Sequence, residues 1–349
     1  MASGDGTIRD TDLEPTSRGV PWRRAGRVAL EAALVGAALA HPLATLLARY
    51  DWRADLLTHF VGPALVVTLI AAAALVRRHR RIAIALGCLA ILQAVPLFRY
   101  AGSNPVRPAP RAKERLRVLM ANVLVDNLRY EELDRLIRRE RPDIVGLLEL
   151  TPEWVDGLAA IRAEYPHRVE FPIGTKGLAL WFRDRPAAID PPARPLPGAS
   201  PYLHAEFAFA GRARHLWLVH PEMPFARKGR PELPALAARI GRTPGSRIVI
   251  GDMNTTEGSP WFADFLRATG LRDSRRGFGR QPSWPTFLPY RIPLEHAFVS
   301  DDLAVVARRL GPSIGSDHFP LIIDLAPASG TLEATNRASH SGAAPGRGG

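Results

Sequence analysis

The chain has 349 residues, 46% of them hydrophobic, and carries 46 Lys and Arg against 34 Asp and Glu, a formal net charge of +12. Its one cysteine, Cys88, excludes a disulfide framework and a cysteine-based zinc site within the chain. The positive balance suits nucleic acid or an anionic surface; much of it, however, is arginine beside hydrophobic runs, where it acts as a topology signal.

Those runs come first along the chain. Val28–Leu47, Leu56–Val76 and Ile82–Phe98 each approach the ~20 residues a helix needs to cross a hydrocarbon core. They predict three transmembrane helices over 28–98, after a cytoplasmic segment at 1–27. The middle run is uncharged from Val61 to Val76; the first carries Glu31 and His41-Pro42, the third Gln93 and Pro96. So little intramembrane charge argues against transport. Arg18, Arg23, Arg24 and Arg27 precede the first run, and Arg77, Arg78, Arg80 and Arg81 fill the second loop. That bias puts the N-terminus and second loop in the cytoplasm and everything after Phe98 outside it, in a multi-pass protein of the cytoplasmic membrane. Arg99, Arg107, Arg111, Lys113 and Arg115 oppose this orientation without reversing it. Ala38-Leu39-Ala40 resembles a signal-peptide cleavage site, but the leader before it is long and acidic. Residues 99–115, with Pro105, Pro108 and Pro110, read as a stiff linker.

From 116 to 326 the periodicity switches between strand and helix types. Leu116–Asn122 and Asp143–Leu150 read as buried strands, and Tyr130–Arg139 as an amphipathic helix between them. Thr151-Pro152 opens a second helix with a cap and an N1 proline. Further strands are expected at Leu178–Phe182, His204–Ala208, His215–His220, Arg247–Gly251, Glu295–Val299, Ala304–Arg309 and Pro320–Leu325. A helix over Trp261–Thr269 stops at Gly270. Elements neither segregate nor alternate strictly, which fits an α/β (α+β) mixed-sheet sandwich covered by helices. Residues 327–349 are small, polar and expected to be disordered.

Polar residues recur where apolar strands end. Asn122 ends the first strand, and Glu149 interrupts LLEL. His220 ends HLWLVH, Asp252 and Asn254 lie in GDMN, Glu295 and His296 open EHAFVS, and Asp317 and His318 lie in GSDHFP. Singly, each has a structural explanation: a strand-end Asn or Asp caps a turn, and a Glu or His among apolar residues is a hydrogen-bonded core group. Together they supply hard-oxygen ligands for Mg²⁺ or Mn²⁺, a group to aim water, and donors for developing negative charge.

The ordered set NV, PDIVGLLE, VHP, GDMN, SWP, LEHAFVS and GSDHFP, spread over Arg117 to Leu325, resembles the endonuclease/exonuclease/phosphatase superfamily, the fold of DNase I. The resemblance implies a four-layer αββα sandwich with a site at one sheet edge. It implies that Glu149 is the principal metal ligand, with Asn122 and Asp317 near the same ion, and that Asp252 orients or deprotonates water. Asn254 would hold that water or the phosphate, and His220 and His318 would contact the scissile phosphate. Glu295 stands where the family usually has an Asp paired with the histidine corresponding to His318. Trp284-Pro285 matches a segment lining the family's cleft.

The implied activity is divalent-metal-dependent hydrolysis of a phosphate ester, as phosphodiesterase, nuclease or phosphatase. The substrate stays open among nucleic acid, a phospholipid head group and a small phosphate ester. Arg227, Lys228 and Arg230 could meet a nucleic-acid backbone or form a solvated loop. A lipid bilayer is the other implied partner, and no obligate protein partner is. The competing class is a non-catalytic, membrane-anchored binding module that keeps the sandwich; one Asp-to-Glu change is the sole departure that would favour it.

Overall fold

Long apolar runs near the N-terminus and short apolar stretches after residue 115 build two kinds of structure. The computed structural model describes residues 21–102, 114–226 and 231–329. Arg18, the proline-rich stretch 103–111, the basic run Arg227, Lys228 and Arg230, and the tail from 330 lie outside the described residues.

Four helices come first: α1 (Pro21–Leu47), α2 (Trp52–Thr58), α3 (Val61–Leu75) and α4 (Arg80–Phe98). Two of them, over Arg24–Leu47 and Arg80–Phe98, are long and apolar enough to cross a membrane. The middle run is not the single helix expected over Leu56–Val76: it breaks into α2 and α3, bent by 77°. The cause is local. Pro63 has no N–H, and in a continuous helix its ring would meet the His59 carbonyl four residues back. Helix α3 restarts with Pro63 in its first turn, while Asp51 caps α2 by accepting from the N–H groups of Arg53 and Ala54. At 15 residues, α3 is about 22 Å long at 1.5 Å per residue. Helices α1, α3 and α4 pack in antiparallel succession. Glu31, in the first half of α1, meets Arg78 and His79 in the α3–α4 turn at 3.5 and 3.2 Å.

The remainder forms two six-stranded sheets. Their strands are β1 (Leu116–Asn122), β2 (Ile144–Leu148), β3 (His167–Phe171), β4 (Leu178–Phe182), β5 (Ala188–Ile189), β6 (Tyr202–Phe209), β7 (Arg212–Val219), β8 (Ser246–Asp252), β9 (Arg272–Asp273), β10 (Glu295–Val299), β11 (Leu303–Leu310) and β12 (Leu321–Pro327). One sheet has the order β11-β12-β1-β2-β4-β3, the other β5-β6-β7-β8-β10-β9. Each is mixed, with β1–β2 and β7–β8 parallel and the other pairs antiparallel.

Because both faces are covered, the central strands read as continuous apolar runs. Val118, Met120, Ile248 and Ile250 point between the sheets. Leu119 and Ala121 point outward, against α5 (Tyr130–Glu140), α6 (Pro152–Gly157) and α7 (Ala159–Arg162). Val249 and Phe298 point the other way, against α8 (Glu232–Arg242) and α9 (Pro260–Thr269). These are the four expected layers. The sequence pattern did not single out β3, whose residues are all half-buried at a sheet edge, or α8, which carries Pro234 in its first turn.

The helical segment is not a free tether. Ser259 Oγ donates to Asp55 Oδ1 at 2.6 Å, and His59 Nδ1 lies 3.1 Å from Thr256 Oγ1. Trp261 Nε1 donates to the Ala48 carbonyl at 3.3 Å. The approach is so close that a Cβ on Gly258 would sit 2.1 Å from the Thr58 carbonyl oxygen. Tyr100, inside the stretch expected as linker, is buried in the domain. Arg275 donates to its hydroxyl at 2.7 Å and lies 4.0 Å over its ring, itself held by Asp273 and Glu257.

Candidate active site

The site stands where central strands of both sheets end together. Asn122 closes β1 opposite Leu148, so Glu149 follows directly beyond β2. In the other sheet, Asp252 closes β8 in register with Glu295, the first residue of β10. The glycine of GDMN has a steric reason: a Cβ on Gly251 would lie 1.9 Å from the Val219 carbonyl, so only glycine lets β8 run this close to the strand carrying His220. Leu124, Glu149 and Asn254 have φ of 62°, 59° and 48°. Asn adopts this left-handed region readily, whereas Leu and Glu pay about 1 kcal/mol or more. The turns that aim the site residues are therefore held by their surroundings.

Asp252 is the hub. Its Oδ2 receives Asn122 Nδ2 at 3.3 Å and faces His220 Nε2 at 3.6 Å and His318 Nε2 at 3.7 Å. Its Oδ1 accepts from the Asn254 N–H at 2.9 Å. Glu149 Oε1 accepts from Asn122 Nδ2 at 2.9 Å and lies 4.0 Å from His220 Nε2. Asn254 Nδ2 donates to the Pro221 carbonyl at 2.9 Å, tying the loop after β8 to the loop after β7. Asp317 accepts from Trp284 Nε1 at 2.9 Å and lies 3.9 Å from His318 Nε2. The structure thus gathers all eight expected residues into one cluster, drawn from six separate segments of chain.

Glu295 reaches His318: its Oε1 is 2.6 Å from His318 Nδ1, both groups buried. Burial disfavours the charged imidazole, but the Glu295 carboxylate, with Asp252 and Asp317, outweighs it and pushes His318 up to about 10. The extra methylene of Glu thus still meets the ring. Restoring the shorter residue with Glu295→Asp should keep kcat within a few-fold of wild type, whereas Glu295→Ala should cost on the order of 10–100-fold by releasing the ring. Steady-state kinetics of the two variants separates the cases; equal rates would show that Glu295 does not orient His318.

Two observations bear on a divalent ion. Asp317 Oδ1 and Glu295 Oε2 are buried without a hydrogen-bond partner, which invites a cation or a proton. Asp252, Glu295 and His318 also bring three ligand atoms within 4.8 Å of one another. Within that triad, however, Glu295 and His318 are committed to each other. Glu149 and Asp317 are better suited as ligands, because they carry hard carboxylate oxygens at the cluster's more exposed edge. Asn122 turns its amide nitrogen to Glu149, while its oxygen accepts from the Leu124 N–H at 3.1 Å. In this arrangement it orients carboxylates.

Some neighbours escaped the sequence pattern. Ser283 Oγ accepts from the N–H groups of Leu294 and Glu295, fixing the start of β10. Lys176, paired with Glu222, lines a cleft of about 190 Å³ with Glu149, His220, Asn254, Met223 and Phe225. Neither Ser283 nor Lys176 lies in an apolar strand, so nothing local marked them. His296, beside Glu295 in sequence, points away: its Nε2 bonds the Thr255 carbonyl at 2.9 Å and its ring stacks on Phe298. Burial, with Arg275 nearby, holds it down to about 4, a neutral core histidine. A larger cavity of about 430 Å³ lies at the opposite end of the sandwich, between Leu116 and Phe209, with none of the site residues.

Comparison with known proteins agrees with this geometry. No curated protein matches the chain in sequence. Among solved structures, D. rerio TDP2 complexed with single strand DNA product matches with a TM-score of 0.52 and 18% identity, over 61% of this chain and 99% of that one. An endonuclease/exonuclease/phosphatase family protein from Leptotrichia buccalis matches with 0.51 and 15%, over 60% and 99%. The endonuclease/exonuclease/phosphatase from Bacteroides vulgatus matches with 0.51 and 17%, over 62% and 100%. At such identities these likenesses establish the fold. The model of the "Endonuclease/Exonuclease/phosphatase family" matches residues 121–318, which span the cluster from the end of β1 to His318. The chain therefore belongs to the endonuclease/exonuclease/phosphatase family and is a hydrolase of phosphoester bonds.

Proposed function

We propose that the chain is a membrane-anchored phosphoesterase that uses Mg²⁺ or Mn²⁺ to hydrolyse a phosphate ester. The observation that carries this reading is the convergence of Asn122, Asn254, His220 and His318 on the single carboxylate of Asp252, beside Glu149. Glu149 and Asp317 would hold the ion, with Asn122 orienting Glu149 or completing the set. When bound, the ion neutralises phosphate charge and polarises the ester. Asp252 aims water and takes its proton. His220 and His318 present ring nitrogens to one spot and stabilise charge on the phosphate. Glu295 fixes the His318 ring, and Asn254 braces the loop that carries Asp252.

Several substrates share this chemistry. The DNA product held by TDP2 supports a phosphodiester such as nucleic acid, and the helices bring lipid head groups within reach. The full-length protein in detergent, assayed with a DNA oligonucleotide and with small phosphate monoesters and diesters under Mg²⁺ or Mn²⁺, should hydrolyse at least one class. No hydrolysis of any under either metal would overturn the proposal.

The helices support three passes, with the short α3 as the middle one. The α3–α4 turn, with Arg77 and Arg78, lies at the same end of the bundle as Glu31 and opposite α2 and Tyr100. By the arginine bias, the α2 end and the catalytic domain are extracytoplasmic. Alkaline phosphatase fused after Leu325 should be active in intact cells, and a fluorescent protein that matures only in the cytoplasm should stay dark there. The reverse pattern would put the domain inside.

A further inference from the structure

The large hydrophobic side chains that the catalytic domain exposes are not scattered. Among the described residues they are Leu128, Ile173, Met223, Phe225, Phe287 and Leu288. Each lies on a loop at the site end of the sandwich. Leu128 follows β1, Ile173 lies in the β3–β4 turn at the end where β2 closes, Met223 and Phe225 follow β7, and Phe287 and Leu288 precede β10. Phe287 is 73% exposed and Leu128 70%. A collar of this kind around a polar cleft costs free energy in water, in proportion to its apolar area, and marks a contact surface.

The anchor meets the domain at this same end. Trp52 of α2 packs edge-on against Phe225, with ring centroids 6.4 Å apart. Phe60, just before α3, stacks on Tyr290 at 6.4 Å, and a Cβ on Gly62 would lie 3.2 Å from the Tyr290 ring. Asp55 and His59 hold the loop that follows Asn254. The helical segment, which includes two helices apolar enough to span a membrane, therefore joins the domain at the end where the cleft opens and these exposed side chains stand.

Resting on the phosphoesterase reading above, we propose that the cleft opens onto the bilayer surface and that its substrate is the phosphate ester of a lipid held in that bilayer. The collar dips into the interface around the cleft, as amphipathic surfaces do. The lipid's phosphate enters with its tails still in the membrane. The tails then add nothing to the chemistry but hold the ester at the site. Water's oxygen forms the new bond to phosphorus, the ester P–O bond breaks, and the leaving alcohol takes the proton that water lost.

The test compares one scissile bond with and without a lipid tail. Full-length protein in phosphatidylcholine nanodiscs is assayed with p-nitrophenyl hexadecyl phosphate, which inserts into the disc, and with soluble p-nitrophenyl ethyl phosphate. The expected result is a kcat/KM at least about tenfold higher for the hexadecyl ester. Phe287→Ser/Leu288→Ser, on an exposed loop, should reduce that ratio by at least about tenfold, since even partial insertion of two large apolar side chains supplies that much. A nitroxide on Phe287→Cys in a Cys88→Ser background should be more accessible to oxygen than to a polar relaxant. Hydrolysis of the ethyl ester with a ratio of one or below, or a label in free solvent, would overturn the proposal and leave the phosphoesterase reading standing. Preference for a single-stranded DNA oligonucleotide over the hexadecyl ester would do the same. Failure to hydrolyse either ester or DNA would remove the phosphoesterase reading and this proposal with it.

Discussion

Asp252→Asn is expected to lower kcat by about 10³-fold or more, because it removes the carboxylate on which the cluster converges. The scale follows from loss of general-base catalysis, worth roughly 10²–10⁴. Asn has nearly the same shape and can still accept from the Asn254 N–H, so the fold should survive. His318→Ala should cost roughly 10²–10³, the scale for removing one donor to developing charge. The two share a single task around Asp252 Oδ2, 3.7 Å from His318 Nε2, so the double variant should lose far less than the product of the single losses. Single-turnover rates with circular dichroism as the folding control check all three. A near-wild-type rate in either single variant would move the chemistry elsewhere.

Glu149→Gln should act on the metal instead. Glutamine keeps the length of the side chain, and its one carbonyl oxygen can still accept from Asn122 Nδ2, which meets Glu149 Oε1 at 2.9 Å, while its amide nitrogen gives up the longer 3.4 Å bond from the Val125 N–H to Oε2. What it loses is the charge and one oxygen ligand. Removing a group that merely supports a metal ligand costs about 10–100-fold in affinity, so a direct ligand should cost at least the upper end of that range. The measurement is the Mg²⁺ or Mn²⁺ concentration for half-maximal activity. An unchanged midpoint would assign the ion to other residues, first among them the Asp252, Glu295 and His318 triad.

Much of the domain was legible in its residues because its central strands are buried on both faces. Leu116–Asn122 and Arg247–Gly251 have little choice but to be inner strands, and the one polar residue ending each such run is conspicuous. That is why Asn122, Glu149, His220 and Asp252 could be named before any contact was seen. Their roles could not be read the same way. Whether Glu295 reaches His318, or which atom Asn122 turns to Glu149, depends on angstrom-scale packing of two sheets that meet only in the folded chain. The edge strand β3 has no covered face to impose a pattern, so it left none.

The anchor was harder to read. Hydropathy over Leu56–Val76 reports composition and is blind to one missing N–H, so the break between Thr58 and Val61, just ahead of Pro63, was invisible to it. Tyr100 offered no local sign either. A single aromatic after an apolar helix looks like the end of a span, and its partners Arg275, Asp273 and Glu257 lie more than 150 residues away. Such contacts are long-range and polar, where periodicity carries no information.

If this cluster hydrolyses phosphate esters through a bound divalent ion, removing the metal must abolish the reaction. The full-length protein is stripped with EDTA, dialysed, and assayed for hydrolysis of a phosphodiester before and after Mg²⁺ or Mn²⁺ is returned. Activity should vanish on stripping and return with either ion, because the proposed ligands are carboxylate oxygens. Full activity in the metal-free protein would contradict it.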